Sequence, residues 1–308
     1  MAPKVSVIIA CYNGAKVISK AIDSALAQAG AEIEVIVVDD GSGDTSREIV
    51  GAYAASHPVK LICHAQNKGI PGARNTGIAA ATGEFIGFLD QDDLWYPERL
   101  SSALAVFAAD PEDQVGLVFG VEETRDLETG ALQPGRNMPP AETNAMDRVS
   151  FVAALAQSNF IPTAAALFRK TCFDQLGPLD EDLKSGIDDF DMFLRVARHF
   201  DVRHVAHVQA VRHVHGQNFT KLHRMVPDMM KVLARIAEEE PAVAAVASQA
   251  RGHFLYLLGR EQQSSGQYSA ACQSFLMALR HAPTRPKHWA AFLLSLAGPL
   301  APMILRRA

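Results

Sequence analysis

The sequence has few cysteines and no long apolar run, which argues against a disulfide-rich secreted protein and against a membrane-spanning one. Its 308 residues include four cysteines, which lie far apart and form no CxxC pair. We therefore expect reduced thiols in the core of a protein from a reducing compartment. The N-terminus, MAPKVSVIIA, lacks the features of a signal peptide, and no stretch of about 18 apolar residues predicts a membrane-spanning helix. These features favour a cytoplasmic location.

A strongly basic composition is also missing, as are two familiar phosphate-binding motifs. The net charge of −5 gives no reason to expect nucleic acid as a partner. No GxGxxG follows a predicted strand and no GxxxxGK[ST] occurs, which argues against a Rossmann dinucleotide site and against a P-loop. The chain is 48% hydrophobic and 20% charged, as expected for a globular protein with a large core.

Strand and helix patterns alternate over the first 120 residues. Nearly continuous apolar strands separated by helices predict a parallel sheet that is buried on both faces. Gly83 is expected to end the third helix in a left-handed conformation. The predicted strands cover residues 4–10, 32–38, 59–63, 84–89 and 115–121, and the predicted helices cover 15–29, a segment from about 45, 70–81 and 97–109.

The character of the sequence changes after residue 217. Before that point the patterns predict a long loop over 122–145 and a helix that starts near residue 147. They then predict a short strand over 164–168, a helix over 189–200 and a strand or strand pair over 203–214. From residue 218, Ala, Leu and Met recur at helical spacing, and residues 252–283 resemble a single tetratricopeptide-type hairpin joined at Ser-Ser-Gly. We therefore predict an α/β domain over 1–217 and a helical region over 218–308. The last predicted helix, 288–307, either packs on a core or lies at a membrane interface.

Polar, acidic or glycine-rich segments follow the first four predicted strands. In open parallel sheets, ligands bind beyond the carboxyl ends of the strands, so these segments are expected to line one crevice. Clusters of oxygen ligands suit Mg²⁺ and Mn²⁺, through which an acidic crevice can accept phosphates. The segments begin at Cys11, Asp39, His64 and Asp90 and read CYNG, DDGS, HAQNKG and DQDD.

Four segments, in this order, resemble those of family 2 glycosyltransferases with the GT-A fold. The resemblance covers about residues 4–215. It implies a Rossmann-like, mixed but mostly parallel sheet flanked by helices. It also implies an enzyme that moves a sugar from a nucleotide-sugar donor to an acceptor hydroxyl with inversion at the anomeric carbon. The segments are SVIIACYNGAKVISKAIDSALAQ (6–28), VIVVDDGSGDTS (35–46), NKGIPGARNTGIAAATGEFIGFLDQDD (67–93) and GIDDFDMFLRVAR (186–198).

The resemblance implies a Mn²⁺ or Mg²⁺ site at Asp90-Gln91-Asp92. Asp92 matches the metal ligand, Asp90 would contact the ribose or the metal through water, and Gln91 is a donor-binding candidate. His215 is the candidate third protein ligand, and His213 is an alternative on the same strand face. Taken alone, the acidic turn would more simply be a solvated turn, and exposed strand histidines are the alternative for His213 and His215.

The same resemblance places the donor nucleotide at the ends of the first three strands. Asp39 matches the residue that accepts a hydrogen bond from the base, usually uracil, and Asp40 would support the ribose. Helix capping is the alternative for both. Tyr12 matches an aromatic residue that packs on the base and is equally a candidate for the core. Arg74 matches a basic residue near the nucleotide, with an exposed salt bridge as its alternative. The remaining donor-binding candidates are Ala10, Asn13 and Asn67.

Asp188 and Asp189 stand where the family usually has a Glu-Asp pair, and they supply the candidate general base. A base is needed because an alcohol is a poor nucleophile at neutral pH. Asp189 matches the family's Asp, and the Glu-to-Asp change at Asp188 leaves open which carboxylate acts. Asp191 is expected to cap the helix or to pair with Arg195. Asp93 is expected to support or cap the helix that begins near residue 97.

Other functions share parts of this pattern. A non-catalytic binding or scaffold protein could keep the fold, but it would be expected to lose Asp92 or the Asp188–Asp189 pair, and all three are present. A sugar nucleotidyltransferase uses a glycine-rich basic loop after the first strand, where this sequence reads CYNGAK. Processive polysaccharide synthases carry Gln-x-x-Arg-Trp and spanning helices, and neither is found.

The sequence therefore predicts the transfer of one sugar, from a nucleotide-sugar that is usually a UDP-sugar. A saccharide or lipid-linked saccharide is the expected acceptor, in the assembly of a bacterial surface or extracellular polysaccharide. The C-terminal helices are a candidate for peripheral contact with the inner membrane.

Overall fold

The computed structural model describes residues 2–126, 128–135, 138–214 and 222–296. The chain divides into two compact units. The first consists of Met1–Phe151 and Asn159–Asn218, and the second of Val152–Ser158 and Phe219–Ala308. All of the described strands lie in the first unit.

A nine-stranded mixed sheet forms the framework of the first unit. The strands are β1 (Lys4–Cys11), β2 (Glu32–Asp39), β3 (Val59–Cys63), β4 (Phe85–Phe88), β5 (Leu94–Trp95), β6 (Val115–Asp126), β7 (Leu132–Pro134), β8 (Ala166–Arg169) and β9 (Asp201–Val214). Their order is β3-β2-β1-β4-β8-β6-β9-β5, with β7 paired to β6. The first four in this order are parallel to one another, as are β6 and β9. The strands β8, β5 and β7 run antiparallel to their partners.

Eleven α-helices accompany the sheet in the described part of the chain. Those between the strands are α1 (Ile18–Leu26), α2 (Ser46–Ala54), α3 (Gly69–Ala80), α4 (Arg99–Ala108), α5 (Arg148–Gln157), α6 (Thr171–Leu176) and α7 (Asp188–His199). Those that follow β9 are α8 (Leu222–Glu239), α9 (Ala244–Ser264), α10 (Tyr268–His281) and α11 (Pro286–Leu296).

The central strands are buried on both faces. Val5, Val7, Ile8 and Ile9 of β1 are each at most 1% exposed, and the run from Val35 to Val38 in β2 is fully buried. Burying one such side chain contributes roughly 1.5–3 kcal/mol, so these two strands anchor the unit. The register pairs Cys11 with Asp39 and Asp39 with Cys63, so three strands end level with one another at the same edge.

Two positions next to β1 leave no room for a side chain and are occupied by glycine. A Cβ on Gly77 of α3 would lie 2.4 Å from Cγ2 of Ile8, so the helix can sit on the strand only with glycine there. The expected left-handed role of Gly83 is wrong, because α3 ends at Ala80 with Ala81 in an extended conformation. Gly83 instead passes beside Ser6, whose backbone N would lie 2.7 Å from an added Cβ.

The predicted loop over 122–145 is wrong in its first part. Strand β6 continues to Asp126 and pairs with β9 along its whole length, and β7 folds back on it. The carboxylate of Asp126 accepts hydrogen bonds from the backbone N–H groups of Glu128 and Thr129 in the turn. The polar sequence of this extension is compatible with a strand because its backbone groups are paired on both sides.

The helical hairpin predicted over 252–283 is present as α9 and α10. Gly266 lies between them with φ +76°, a left-handed conformation that favours glycine. Phe275 is fully buried in the hairpin, and a Cβ on Gly259 would lie 2.6 Å from its ring. The last predicted helix begins with α11, and its continuation beyond Leu296 falls outside the described residues. Among the described helices, none has the length and hydropathy that crossing a bilayer requires.

The cysteines are all free, but they are not all in the core. Cys11 and Cys172 are buried, whereas Cys63 is exposed and Cys272 is partly exposed. The prediction of a core position is therefore wrong for Cys63, which ends β3 at the edge of the sheet.

Candidate active site

The segments after β1 and β2 are joined through Asn13. Its backbone N–H donates to Oγ of Ser42 at 2.9 Å, and its side-chain Oδ1 accepts from the N–H of Gly43 at 2.9 Å. Asn13 has φ +51°, a conformation that asparagine tolerates better than most residues. Its observed contacts therefore fix the two loops against each other.

Asp39 is almost completely buried and uses one of its two carboxylate oxygens. Oδ2 accepts hydrogen bonds from the N–H of Ser42 at 3.1 Å and from Nε of Arg47 at 2.6 Å. Burial alone would raise the pKa of Asp39, but the bonds from Ser42 and Arg47 outweigh it and hold the pKa below its ordinary value. Oδ1 is buried and has no hydrogen-bond partner among the described residues.

Helix capping does not account for Asp39. The N-cap residue of α2 is Thr45, and the N–H of Ser46 donates to Asp44 at 3.0 Å. Leaving a buried acceptor unsatisfied costs about 1–3 kcal/mol. The free oxygen of Asp39 is therefore a place where an N–H group of a ligand would be stabilising.

Asp40 is buried and engaged within the protein. Its carboxylate lies 2.7 Å from Nδ1 of His64 and accepts from the backbone N–H groups of Lys68 and Gly69, both at 2.9 Å. The Asn67 side chain donates to the carbonyl of Asp40 at 3.1 Å and accepts from the N–H of Gly69. The observed contacts of Asp40 and Asn67 hold the loop between β3 and α3, and they leave neither Asp40 oxygen without a protein partner.

Gln91 joins the acidic turn after β4 to the end of β1. Its Oε1 accepts from the N–H of Tyr12 at 3.0 Å, and its Nε2 donates to the carbonyl of Tyr12 at 3.2 Å. The Tyr12 side chain does not belong to the core, because the residue is 50% exposed. Ala10 is partly buried and pairs with Val38 in the sheet. An exposed ring therefore stands beside the acidic turn.

Arg74 is buried between two carboxylates that come from distant parts of the sequence. Its NH2 donates to Oδ1 of Asp90 and its NH1 to Oδ2 of Asp188, both at 2.9 Å. The guanidinium also lies 5.2 Å from the ring centre of Phe88. Burial would lower the pKa of Arg74, but Asp188 and Asp90 raise it above its ordinary value. The alternative of an exposed salt bridge is excluded, since Arg74 is 5% exposed.

The two candidate bases have different surroundings. Asp188 is completely buried; one oxygen pairs with Arg74 and the other has no hydrogen-bond partner in the described part of the chain. Asp189 is only half-buried and accepts hydrogen bonds from the Thr163 hydroxyl and from the N–H of Phe190. Burial and the charge of Asp188 raise the pKa of Asp189 to about 6, against the opposing effect of Arg74. Asp189 is thus the more accessible carboxylate, and its pKa is raised.

Asp93 does not cap the helix near residue 97. It is 4% exposed, and its Oδ1 accepts from the backbone N–H of His213 at 2.9 Å, which fixes the acidic turn to β9. The N-cap residue of α4 is Glu98, without a side-chain capping bond. Burial, followed by the charges of Asp90 and Asp92, raises the pKa of Asp93 well above its usual range.

The histidine end of β9 is only partly described. His213 is 8% exposed and its Nδ1 is hydrogen-bonded to the carbonyl of Asp92, so it is not an exposed strand histidine. His215, the candidate third metal ligand, lies outside the described residues.

In α7, Asp191 pairs with Arg195 at 3.1 Å, as predicted.

Glu122 is a residue of this region that sequence reasoning missed. It lies on β6 opposite Ala210 of β9. Burial raises its pKa to about 7, Asp90 and Asp189 add to that rise, and Arg212 opposes it. The charges of Asp90 and Asp189 both act on Glu122, which places it in the same acidic region, in a segment whose polar sequence predicts a loop.

A divalent metal fits the oxygen ligands at the acidic turn. The Asp90 side chain is 48% exposed and Asp92 is partly exposed, so both can be reached from solvent. Within the described ranges no three His, Cys, Asp or Glu residues are grouped as a ligand set. Mg²⁺ needs no such cage when one or two carboxylates and substrate phosphates hold it, and carboxylates equally suit Mn²⁺. The turn fits that shared mode of binding.

A mixed sheet with an acidic turn beyond its parallel strands is the architecture of the GT-A fold, and solved structures bear this out. TarS of S. aureus, residues 1–349 in complex with UDP-GlcNAc, matches with a TM-score of 0.64 at 19% identity, over 95% of this chain and 90% of that one. The mannosyltransferase PcManGT from Pyrobaculum calidifontis, in complex with GDP-Man and Mn²⁺, matches with a TM-score of 0.61 at 22% identity, over 98% and 81% of the two chains. The predicted fold class is confirmed.

The chain belongs to glycosyl transferase family 2, whose model matches residues 6–176. An uncharacterised glycosyltransferase of Nostoc sp. is 36% identical over 182 residues, which are 58% of this chain and 54% of that protein. Chondroitin synthase of Escherichia coli is 28% identical over 216 residues, which are 70% of this chain and 30% of the synthase. The chain thus spans about half the length of the first relative and less than a third of the second.

Proposed function

We propose that the protein is a metal-dependent, inverting glycosyltransferase that moves one sugar from a nucleoside-diphosphate sugar to an acceptor hydroxyl. The observation that carries this proposal is the bridge through Arg74, which connects the acidic turn at Asp90 with the carboxylate pair that begins α7. Donor-binding and base candidates thereby meet in one region. We assign the transferase function to residues 1–217 and treat residues 218–308 as a separate helical region.

The donor nucleotide is assigned to the ends of β1 and β2. The unsatisfied buried oxygen of Asp39 suits an N–H donor of the base, and the exposed ring of Tyr12 suits stacking on it. Asn13, Asp40 and Asn67 position these loops through their internal hydrogen bonds. A UDP-sugar is the first donor to test, because TarS binds UDP-GlcNAc, and GDP-mannose is the second, because PcManGT binds GDP-Man.

The acidic turn is assigned to the metal and the donor diphosphate. Asp92 and Asp90 would hold Mn²⁺ or Mg²⁺, with His215 as a further ligand. When bound, the metal would offset the negative charge that develops on the departing nucleoside diphosphate. Arg74 keeps the Asp90 carboxylate in place through its 2.9 Å hydrogen bond.

Asp189 is assigned as the general base. It accepts the proton of the acceptor hydroxyl while the hydroxyl oxygen bonds to the anomeric carbon and the bond from that carbon to the diphosphate oxygen breaks. Displacement from the opposite side inverts the anomeric configuration. Asp188, buried and paired with Arg74, holds the start of α7 and raises the pKa of Asp189.

The proposed acceptor is a saccharide or a lipid-linked saccharide in the assembly of a bacterial surface or extracellular polysaccharide. The chondroitin synthase similarity supports a sugar acceptor. We place the reaction in the cytoplasm, at the inner face of the membrane where lipid-linked acceptors are used.

Transfer assays with a panel of nucleotide-sugars and saccharide acceptors test this function. With Mn²⁺ present, we expect one nucleoside diphosphate to be released per sugar transferred and a product that is one sugar longer, with the opposite anomeric configuration by NMR. Retained configuration would contradict inversion, and a long polymer would contradict single transfer. Release of pyrophosphate would instead support a nucleotidyltransferase.

A further inference from the structure

The last described helix, α11, exposes three large apolar side chains. Trp289, Leu293 and Leu296 are 49%, 61% and 62% exposed, and their spacing of four and three residues places them on one face. The buried residues of α11 lie on the other side of the helix and are His288, Ala291 and Ser295. Phe292 packs partly against the buried Phe275 and Ala291, whereas the three exposed apolar side chains face solvent. We call Trp289, Leu293 and Leu296 the α11 face.

The surrounding sequence has an unusual charge. All 34 acidic residues of the chain lie before residue 262, so residues 262–308 contain only basic charges, five in number, although the whole chain is at −5. Of these, Arg280, Arg285 and Lys287 are exposed in the structure. The segment that includes the α11 face is thus basic within an acidic protein.

The sequence beyond α11 continues this character. Between Lys287 and Arg306 no residue carries a formal charge, and residues 297–305 read AGPLAPMIL. An apolar stretch enclosed by basic residues, with a tryptophan at one end, is typical of a segment that lies in the interface of a bilayer.

We propose that the α11 face binds the surface of a lipid bilayer that contains anionic lipids. The three apolar side chains enter the boundary between headgroups and acyl chains, and the basic residues lie against the anionic headgroups. A second copy of the chain is a poorer partner, because a symmetric contact would bring two basic segments together. This proposal needs neither a donor nor an acceptor, so it stands separately from the proposed transferase function.

Co-sedimentation of the full-length protein with vesicles tests the proposal. We expect binding to phosphatidylcholine vesicles that contain about 30% phosphatidylglycerol, at least about tenfold weaker binding to phosphatidylcholine alone, and weakening by salt. The variant Leu293→Ser/Leu296→Ser should bind at least about tenfold more weakly, since it removes apolar area from the contact. The matched control is Leu276→Ser/Met277→Ser, two exposed residues of α10, which should remain within about twofold of wild type.

Three results would overturn the proposal. They are equal binding to the two kinds of vesicle, undiminished binding of the α11 variant, and a wild-type dimer in solution that the α11 variant dissociates. Circular dichroism melting checks that the variant is folded. If it is not, Arg306→Gln/Arg307→Gln supplies the test, and unchanged binding to anionic vesicles would then count against the proposal. Nucleotide-sugar binding by the same variants reports on the transferase site independently.

Discussion

At the scale of single residues, Arg74 organises the candidate active site. It is buried, and it pairs with Asp90 and with the fully buried Asp188. Removing one partner of a buried ion pair costs about 3–5 kcal/mol, because the other charge is left without compensation. We therefore expect Arg74→Met to lower the free energy of unfolding by about 3 kcal/mol in urea titrations.

A double-mutant cycle provides the control for this prediction. Asp188→Asn removes the charge that Arg74→Met leaves unpaired, so the double variant should be less destabilised than the sum of the two single variants. Additive effects would show that the two side chains do not interact, and would contradict the account of Arg74 as a bridge.

The assignment of the general base predicts a separation of chemistry from binding. Asp189→Asn should lower the transfer rate by about 10²–10⁴-fold, the usual contribution of such a base. Its donor affinity should stay close to that of wild type, as measured by calorimetry. Asp182→Asn, a change at an exposed aspartate seven residues earlier whose backbone N–H donates to Asp180, is the matched control and should leave transfer unchanged. Normal turnover by Asp189→Asn would refute the assignment.

The raised pKa of Asp189 predicts an acid limb in the pH profile. Only the ionised carboxylate can accept a proton, so activity should be present above a pH of about 6 and fall as the pH drops through it. Asp188 raises this pKa, whereas Arg74, the Thr163 hydroxyl and the N–H of Phe190 lower it. The charge of Asp189 in turn contributes to the raised pKa of Glu122, about 7. A profile of kcat/KM that is flat between about pH 5 and 8 would contradict this role.

Sequence reasoning selected several residues of the site but not their partners. Asp90, Asp188 and Arg74 were found because they stand in recognisable motifs, and the structure brings them together. The contact between Asp93 and the backbone of His213 spans 120 residues, and no local pattern indicates it. Glu122 was missed because its raised pKa comes from burial that only the assembled sheet creates.

At the scale of elements, the packing of α3 on β1 depends on a glycine. Gly77→Ala would place a methyl group 2.4 Å from Ile8, and overpacking of this kind typically costs about 1–3 kcal/mol. The matched control is Gly51→Ala in α2, where no atom lies within 4 Å of the new Cβ. Because alanine favours a helix over glycine, that variant should gain about 0.5–1 kcal/mol. Urea midpoints that move in the same direction for both variants would contradict the packing argument.

The buried strands were predicted to within one or two residues, whereas polar and short elements were not. The apolar runs of β1 and β2 are long because both faces of these strands are covered, and such runs are easy to find. The end of β6 reads EETRD and is a strand because β9 and β7 pair with it, which its polar sequence does not indicate. Helix α6, with six residues, is too short to show a helical period.

At the scale of the whole molecule, acidic and basic residues are unevenly distributed along the chain. The candidate site in the first unit gathers carboxylates from the turn after β4, from β6 and from α7, whereas residues 262–308 carry no acidic side chain. The ligands that we propose are a metal ion and a diphosphate for the acidic crevice and an anionic lipid surface for the basic segment.

The central claim, a metal-dependent nucleotide-sugar site, is tested most directly by the thermal stability of the protein with a panel of nucleotide-sugars. At about 100 times the dissociation constant, a bound donor stabilises the folded state by about 2.7 kcal/mol and raises Tm by several degrees. We predict such a rise for at least one nucleoside-diphosphate sugar in the presence of Mn²⁺, its loss in EDTA, and a much smaller rise for Asp92→Asn. No rise with any nucleotide-sugar, or an equal rise in Mn²⁺ and in EDTA, would contradict the account.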